Sequence, residues 1–242
     1  MDLIVPEWEV PPGVGAVSTT RAGGVSKGVH ASLNLGSHVG DEPAAVEENR
    51  RRLRNAAALP GEPVWLAQVH GTEVVDAVPG VAPPRADAAV SARPGVVCAV
   101  LSADCLPVLL ASRQGDEVAA AHAGWRGLAA GILEATLAAM KTPPGELAAW
   151  LGPAISRAAF EVGDEVREAF RAGNPEDAAF FSANDRGRWQ ADLAGLARRR
   201  LESAGVTVYG GGSCTFTDPA RFFSYRRDGE TGRMASLVWI RG

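Results

Sequence analysis

The sequence predicts an α+β fold with mixed sheets, formed by a single domain that covers residues 1–242. Apolar, β-branched runs of strand length are interspersed with segments of helix length, without the regular alternation of a doubly wound sheet. No repeat or long linker divides the chain. Hydrophobic residues make up 46% of the sequence and charged residues 21%, a balance that is typical of a protein with a packed core.

The first half of the chain predicts one helix and several strands. Short strands and loops account for the first forty residues. Asp41 is placed to cap a helix that has Pro43 in its first turn and ends near Leu59. Strands follow at 63–69, 96–101, 106–111 and 117–121. The first of these runs into His70, and the last delivers His122.

The second half predicts three helices and three further strands. Helices are expected at 128–140, 164–171 and 192–204. Pro143 stops the first helix, and Gly205 follows the last at a position that favours glycine. Strands are expected at 206–209, near 222–225 and at 235–240.

Charge and hydropathy exclude several classes of function. The formal net charge is −4, with no basic stripe, which argues against a nucleic-acid partner. The N-terminus MDLIVPEWEV has none of the features of a signal peptide, and no run approaches the roughly 20 apolar residues of a membrane span. Three cysteines without disulfide spacing fit a reducing compartment. We therefore expect a cytoplasmic protein without membrane contact, either a monomer or a weak homo-oligomer.

Three residues predict a zinc site. His70, Cys105 and His122 each follow a predicted strand beside small or turn-forming residues, and they are 35 and 17 residues apart. This spacing differs from the close ligand pairs of a zinc finger. Imidazole and thiolate suit zinc, and three protein ligands leave a fourth position for water, whose pKa zinc lowers to roughly 7.

The same residues allow other interpretations. Cys105 is alternatively the nucleophile of a thiol hydrolase, activated by His122 or His70. Buried cysteines and isolated histidines are also common in ordinary cores. In a third interpretation the zinc is structural, and Cys98 or Cys214 supplies the fourth ligand.

Residues beside His70, Cys105 and His122, the trio below, have two interpretations each. Asp104 is either a loop cap or an acid–base group next to the metal. Arg126 precedes the predicted 128–140 helix, where it is either an ordinary surface residue or part of an anion site. Trp125 is a stacking platform or simple packing. Arg226 belongs either to a phosphate clamp or to a hairpin turn that contains Asp-Gly.

Seven motifs occur in order along the chain: TRAGGVSKGVHASLNLGSHVGDEP, WLAQVHG, SADCLPVLL, AHAGWRGL, LGPAI, SCTF and FFSYRRDGETGR. Together they resemble the YfiH family, also called the laccase-domain or polyphenol-oxidoreductase family. The resemblance covers the chain from about residue 19 to residue 233. It implies a four-layer α/β/β/α sandwich with mixed sheets, a fold shared with cysteine hydrolases, and it places the family's metal ligands on His70, Cys105 and His122.

The resemblance also implies an activity on purine nucleosides. The expected reactions are phosphorolysis of adenosine, inosine and S-methyl-5′-thioadenosine, and deamination of adenosine with Asp104 moving protons. Arg50, Arg126 and Arg226 are the cationic candidates for phosphate, and Asn34 and Gln68 are candidates for contact with the base or ribose.

The resemblance is compatible with more than one metal and with one alternative activity. The older family name implies copper, but a multicopper site needs more histidines than the four present, so zinc is favoured. The alternative activity is a cysteine-dependent hydrolase that edits peptidoglycan precursors through Cys105.

Overall fold

The computed structural model describes residues 1–242 and contains thirteen strands and six α-helices. The strands are β1 (Leu3–Ile4), β2 (Val14–Thr19), β3 (Val74–Asp76), β4 (Ala88–Ser91), β5 (Val97–Ser102), β6 (Leu106–Ser112), β7 (Val118–Ala123), β8 (Leu147–Leu151), β9 (Glu161–Val162), β10 (Phe181–Ala183), β11 (Trp189–Ala191), β12 (Thr207–Gly210) and β13 (Met234–Ile240). The helices are α1 (Pro43–Ala56), α2 (Trp125–Ala130), α3 (Ile132–Ala139), α4 (Asp164–Gly173), α5 (Leu193–Ser203) and α6 (Tyr225–Asp228). Helix α4 is amphipathic and buries Val166 and Phe170.

Two large sheets form the centre of the molecule. The first is antiparallel, with the order β1-β2-β13-β5. The second has the order β12-β8-β6-β7-β4-β3, antiparallel in its middle and parallel at both edges. A small third sheet, β10-β11-β9, lies beside α4. The predicted mixed α+β fold is confirmed.

Alternating side chains divide the two large sheets into layers. On β5, Cys98 and Val100 belong to the core between the sheets, whereas Val97, Ala99 and Leu101 belong to a separate core that includes a leucine of α1. The second sheet has the same division, because one face of β6 joins the core between the sheets and the other packs with the remaining helices. The result is the α/β/β/α order that the resemblance implied.

Two predicted helix features are wrong, and the backbone explains both. The helix expected at 128–140 is divided into α2 and α3 at Gly131, whose φ of 102° lies in the left-handed region that interrupts a right-handed helix. Asp41 does not cap α1, because its carboxylate accepts hydrogen bonds from Ser26 and Asn34, and Glu42 takes the N-cap position.

Two predicted strands are also wrong. Residues 63–69 make only isolated bridges, at Val64 and Ala67. Beyond them the side chain of Gln68 replaces the backbone, donating to the Leu101 carbonyl and accepting from the Leu101 amide. Residues 222–225 form no strand, and α6 begins at Tyr225. No helix has the length and apolarity that crossing a membrane requires.

Candidate metal centre and pocket

A pocket of about 430 Å³ opens where the ends of several strands meet. Its floor contains His70, Cys105 and His122. Its apolar walls include Ile155 and Phe160, and three arginines line it, at positions 126, 226 and 233. The volume is within the range of small-molecule sites.

Strand pairing brings two members of the trio together. Strands β6 and β7 are antiparallel neighbours in which Leu106 pairs with Ala123, so Cys105 and His122 lie at the same end of the hairpin. His70 reaches this place from the loop after the 63–69 segment. The ligand atoms of all three residues lie within 4.8 Å of one another, and Cys105 Sγ is 3.9 Å from His70 Nε2.

Asp87, which the sequence reasoning missed, holds both histidines in place. Its carboxylate is fully buried, and it lies 2.8 Å from His122 Nδ1. It also accepts backbone hydrogen bonds from Val69, His70 and Gly71. Because Asp87 bonds Nδ1, the Nε2 atom of His122 is left to face Cys105. Metal-binding histidines commonly have a carboxylate on the ring nitrogen that does not bind the metal. The only signal in the sequence was an aspartate inside the apolar stretch 86–90.

The charges of this group favour a thiolate. Burial would raise the pKa of the Cys105 thiol, but the neighbouring His122 charge and hydrogen bonds from both histidines lower it to about 6. Burial would lower the pKa of His122, but the Cys105 thiolate and Asp87 raise it to about 9. Thiolate is the form of cysteine that binds metals and attacks electrophiles.

The backbone around the trio is tightly constrained. A Cβ atom on Gly124 would lie 3.0 Å from Cys105 Sγ and 3.0 Å from His70 Cδ2. Only three residues other than glycine have positive φ, and two of them are here, His70 at 60° and Asp104 at 90°. Sparsely populated backbone conformations are concentrated at functional sites.

The donor set fits a metal ion. Two imidazoles and one thiolate within mutual reach match the ligands that zinc prefers, and a fourth position is left for another ligand. Cys98 and Cys214 do not belong to this group. Cys98 is fully buried in β5, where burial raises its pKa to about 12. The structural-zinc interpretation therefore lacks the fourth ligand that Cys98 or Cys214 was expected to supply.

Asp104 has long-range partners in place of the local cap considered above. Its Oδ1 accepts a hydrogen bond of 2.6 Å from Thr215 Oγ1, and its Oδ2 accepts one of 2.7 Å from the Arg226 amide. The carboxylate connects the loop that carries Cys105 to the first turn of α6. It lines the pocket, where it is the only carboxylate.

The structure brings Arg126 and Arg226 to the pocket. Arg126 is exposed and its guanidinium stacks 4.5 Å above the Trp125 ring. It lies within the six-residue α2, and not in a loop before the predicted 128–140 helix. Arg226 lies in α6 and not in a hairpin turn, and its Nη1 donates to the Glu161 carbonyl.

The structure does not bring Asn34 and Arg50 to the pocket. The Asn34 side chain is buried and bonds Gly36 and Asp41. Arg50 donates twice to the Leu35 carbonyl and stacks on a tryptophan. Gln68 does line the pocket, although its amide is engaged by β5.

Sequence reasoning also missed Arg233 and His38, which line the pocket as well. Arg233 immediately precedes β13, whose first residue pairs with Ser102 at the end of β5. The GETGR motif contained Arg233, but nothing in the local pattern distinguished it from other arginines.

Comparison with known proteins identifies the family. Residues 15–241 match the family described as multi-copper polyphenol oxidoreductase laccase. The chain belongs to this family. Its relatives include the purine nucleoside phosphorylase YfiH of Escherichia coli (strain K12), which is 56% identical over 241 residues with 98% of each chain covered. A purine nucleoside phosphorylase of Pseudomonas aeruginosa is 57% identical over 239 residues, again with 98% of each chain covered.

Solved structures of similar proteins share this architecture. A Neisseria meningitidis protein assigned to DUF152 superposes with a TM-score of 0.96 at 52% identity, and all of both chains is covered. YlmD from Geobacillus stearothermophilus superposes with a TM-score of 0.90 at 35% identity, covering 96% of this chain and 93% of its own. The resemblance predicted from seven motifs is confirmed.

Proposed function

We propose that this chain is a purine nucleoside phosphorylase. Its substrates are adenosine, inosine and S-methyl-5′-thioadenosine, each split by phosphate into a free base and a pentose 1-phosphate. We also propose that the same pocket deaminates adenosine to inosine by hydrolysis, in which water supplies the oxygen at C6 and the amino group leaves as ammonia. The names of the Escherichia coli and Pseudomonas aeruginosa relatives support the phosphorylase assignment.

The composition of the pocket carries this proposal. Three arginines and an apolar wall surround the trio, and Asp104, the only pocket carboxylate, has both oxygens engaged. A cationic pocket with an apolar wall suits a reaction between an anion and an aromatic base.

His70, Cys105 and His122 would hold the metal, and we propose zinc because of the imidazole–thiolate set. When bound, zinc supplies Lewis-acid chemistry at the floor of the pocket. Asp87 orients His122 through its Nδ1 and holds the backbone of His70. These bonds keep the ligand atoms in place before any metal binds.

Phosphorolysis exchanges one bond for another at the sugar. A phosphate oxygen forms a bond to C1′ while the bond from C1′ to the purine N9 breaks, and the bond pair leaves with the base, which takes up the proton that the hydrogen phosphate loses. The pocket arginines bind and orient the phosphate, because a guanidinium can hold two of its oxygens. Trp125 and Phe160 line the pocket with the guanidinium groups of Arg126 and Arg226 stacked against their rings, so a purine would meet a wall that is both aromatic and cationic.

Asp104 has a positioning role in this proposal. Because its oxygens accept hydrogen bonds from Thr215 and from the Arg226 amide, it fixes the start of α6 and so the place of the Arg226 side chain. These contacts favour positioning over the proton-transfer role that the sequence suggested.

The test is an assay of purified protein with adenosine, with and without phosphate, together with a count of bound zinc. We expect about one zinc per chain, adenine only when phosphate is present, and inosine in both conditions. The Cys105→Ala variant should lose both zinc and activity. If the wild type contains no zinc and yields neither product, the proposal is wrong.

One observation favours a second candidate, a cysteine-dependent hydrolase acting on a peptide-like cell-wall precursor. Cys105, His122 and Asp87 are arranged as a thiol, an imidazole and an orienting carboxylate, the order found in thiol hydrolases. Alkylation of Cys105 should then abolish an activity that survives complete removal of metal by a chelator. Loss of that activity with the metal would exclude this candidate.

A further inference from the structure

Among the three pocket arginines, Arg233 is the one held through its backbone amide, the stem of its side chain and its Nη1. Its backbone amide donates to Asn34 Oδ1 at 2.9 Å. The stem of its side chain packs against Gly36, where a Cβ atom would lie 2.9 Å from Arg233 Cγ. Its Nη1 donates to the carbonyls of Thr231 and Gly232.

These bonds leave one edge of the guanidinium free. Nη1 has two acceptors, but Nε and Nη2 have none in the protein, and no carboxylate lies within ion-pair distance of Arg233. The Nε–Nη2 edge presents parallel N–H groups, which is the geometry that binds two oxygens of a phosphate. Arg126 and Arg226 are exposed by comparison, so solvent screens them and their side chains lose more freedom on binding.

The surroundings of Arg233 are those of an anion site. Partial burial, together with the charges of Arg233 and Arg50, lowers the pKa of His38 below its ordinary value, which favours the neutral imidazole that can donate one hydrogen bond. Arg233 lines the same pocket as Phe160 and the three candidate metal ligands.

We propose that the Nε–Nη2 edge of Arg233, with His38 beside it, binds the phosphate that attacks the nucleoside. This inference rests on the proposed phosphorylase activity and goes further by assigning the phosphate subsite. Asn34, which the sequence suggested as a contact to base or ribose, has a different role here. It positions Arg233 through the backbone amide.

The test compares steady-state kinetics of the zinc-loaded wild type with Arg233→Gln and Arg233→Lys, varying phosphate and adenosine separately. Arg233→Gln should raise the KM for phosphate on the order of 10- to 100-fold, the range expected for losing charge-assisted hydrogen bonds. The KM for adenosine should change far less. Arg233→Lys keeps the charge but loses the paired N–H groups, so its KM for phosphate should lie between those of the wild type and Arg233→Gln.

Binding of inorganic phosphate measured by calorimetry gives a readout independent of turnover, and melting curves with zinc counts show that each variant is folded and loaded. Arg198→Gln is the matched control, because Arg198 also donates to backbone carbonyls but lies outside the pocket. Its phosphate affinity should equal that of the wild type. The 5′-phosphate of a nucleotide is a second possible source of the anion, so adenosine 5′-monophosphate is titrated without free phosphate.

Three results would overturn the assignment. They are an unchanged KM for phosphate in folded Arg233→Gln, a rise confined to the KM for adenosine, or an Arg233-dependent preference for the nucleotide over free phosphate. Each presupposes that the wild type phosphorolyses adenosine. Failure of the proposed function itself would appear earlier, as a wild type that forms no adenine.

Discussion

The substitution Asp87→Asn tests how the fold prepares the metal centre. Oδ1 of this buried carboxylate serves His122 Nδ1 and the His70 amide, and Oδ2 serves the amides of Val69 and Gly71. Asparagine offers one acceptor oxygen and one NH₂ group. Two of the four N–H donors around this position would therefore face the NH₂ group instead of an acceptor. The substitution also removes the negative charge that favours a proton on His122 Nδ1.

The magnitude follows from these contacts. A buried donor left without an acceptor costs about 1–3 kcal/mol, and this cost is already contained in the about 3–5 kcal/mol for losing one partner of a buried charged pair, so we expect about 3–5 kcal/mol in all. For a protein of this size each kcal/mol shifts the melting temperature by about 2–4 °C, which predicts a decrease of roughly 10 °C. Metal affinity should fall about 10- to 100-fold, as for other carboxylates behind a histidine ligand.

The assay combines thermal melting of the metal-free protein with a zinc titration against a competing chelator. Asp192→Asn is the control, because Asp192 caps α5 through the Gly195 amide and asparagine caps helices equally well. The control should match the wild type in both measurements. Asp87→Asn with wild-type melting temperature and metal affinity would refute the idea that this carboxylate organises the centre.

Three further predictions concern Gly124, Cys98 and Asp41. Gly124→Ala should lower zinc affinity at least about 10-fold by competition titration, because its Cβ would lie 3.0 Å from Cys105 Sγ and His70 Cδ2 and one ligand must move; wild-type affinity would contradict the packing described. Cys98→Ala should keep the full zinc content by elemental analysis and lose about 1 kcal/mol of stability, because this thiol is buried away from the trio; loss of zinc would show that Cys98 is a ligand. Burial would raise the pKa of Asp41, but its hydrogen bonds lower this pKa below the ordinary value. The Asp41 carboxylate therefore stabilises the fold fully at pH values above the ordinary pKa. This stabilisation is lost as the pH falls through the lowered pKa of the folded protein. In denaturant titrations, the free energy of unfolding of Asp41→Asn should therefore fall less at acid pH than that of the wild type. An unchanged pH dependence would argue against this role of Asp41.

Several features of the fold could be predicted locally, and others could not. The strand prediction for 96–101 is close to the observed β5, because a continuous apolar run is a strong local signal. The 63–69 segment shows the same kind of run but makes only isolated bridges, since the Gln68 side chain takes the place of the ladder. The helix expected at 128–140 is interrupted because Gly131 adopts a left-handed conformation, a choice that its neighbours in sequence do not reveal.

The candidate site divides in a similar way. His70, Cys105 and His122 could be selected from the sequence because rare, metal-binding residue types follow strand-like segments. Asn34 and Arg50 were suggested as substrate contacts from their chemistry alone, and the structure shows their polar atoms engaged by the backbone near residue 35. The type of a side chain indicates which hydrogen bonds it can form, but the folded structure decides which partners it contacts.

The sequence by itself determined the family, the mixed α+β class and the three donors that could hold a metal, because each depends on residue identity and local pattern. Only the tertiary structure decided what surrounds those donors. Asp87 meets His122 across 35 residues, and Arg233 meets Asn34 across 199. Such contacts are set by strand register and loop packing, which depend on the whole chain and leave no periodic trace near either partner.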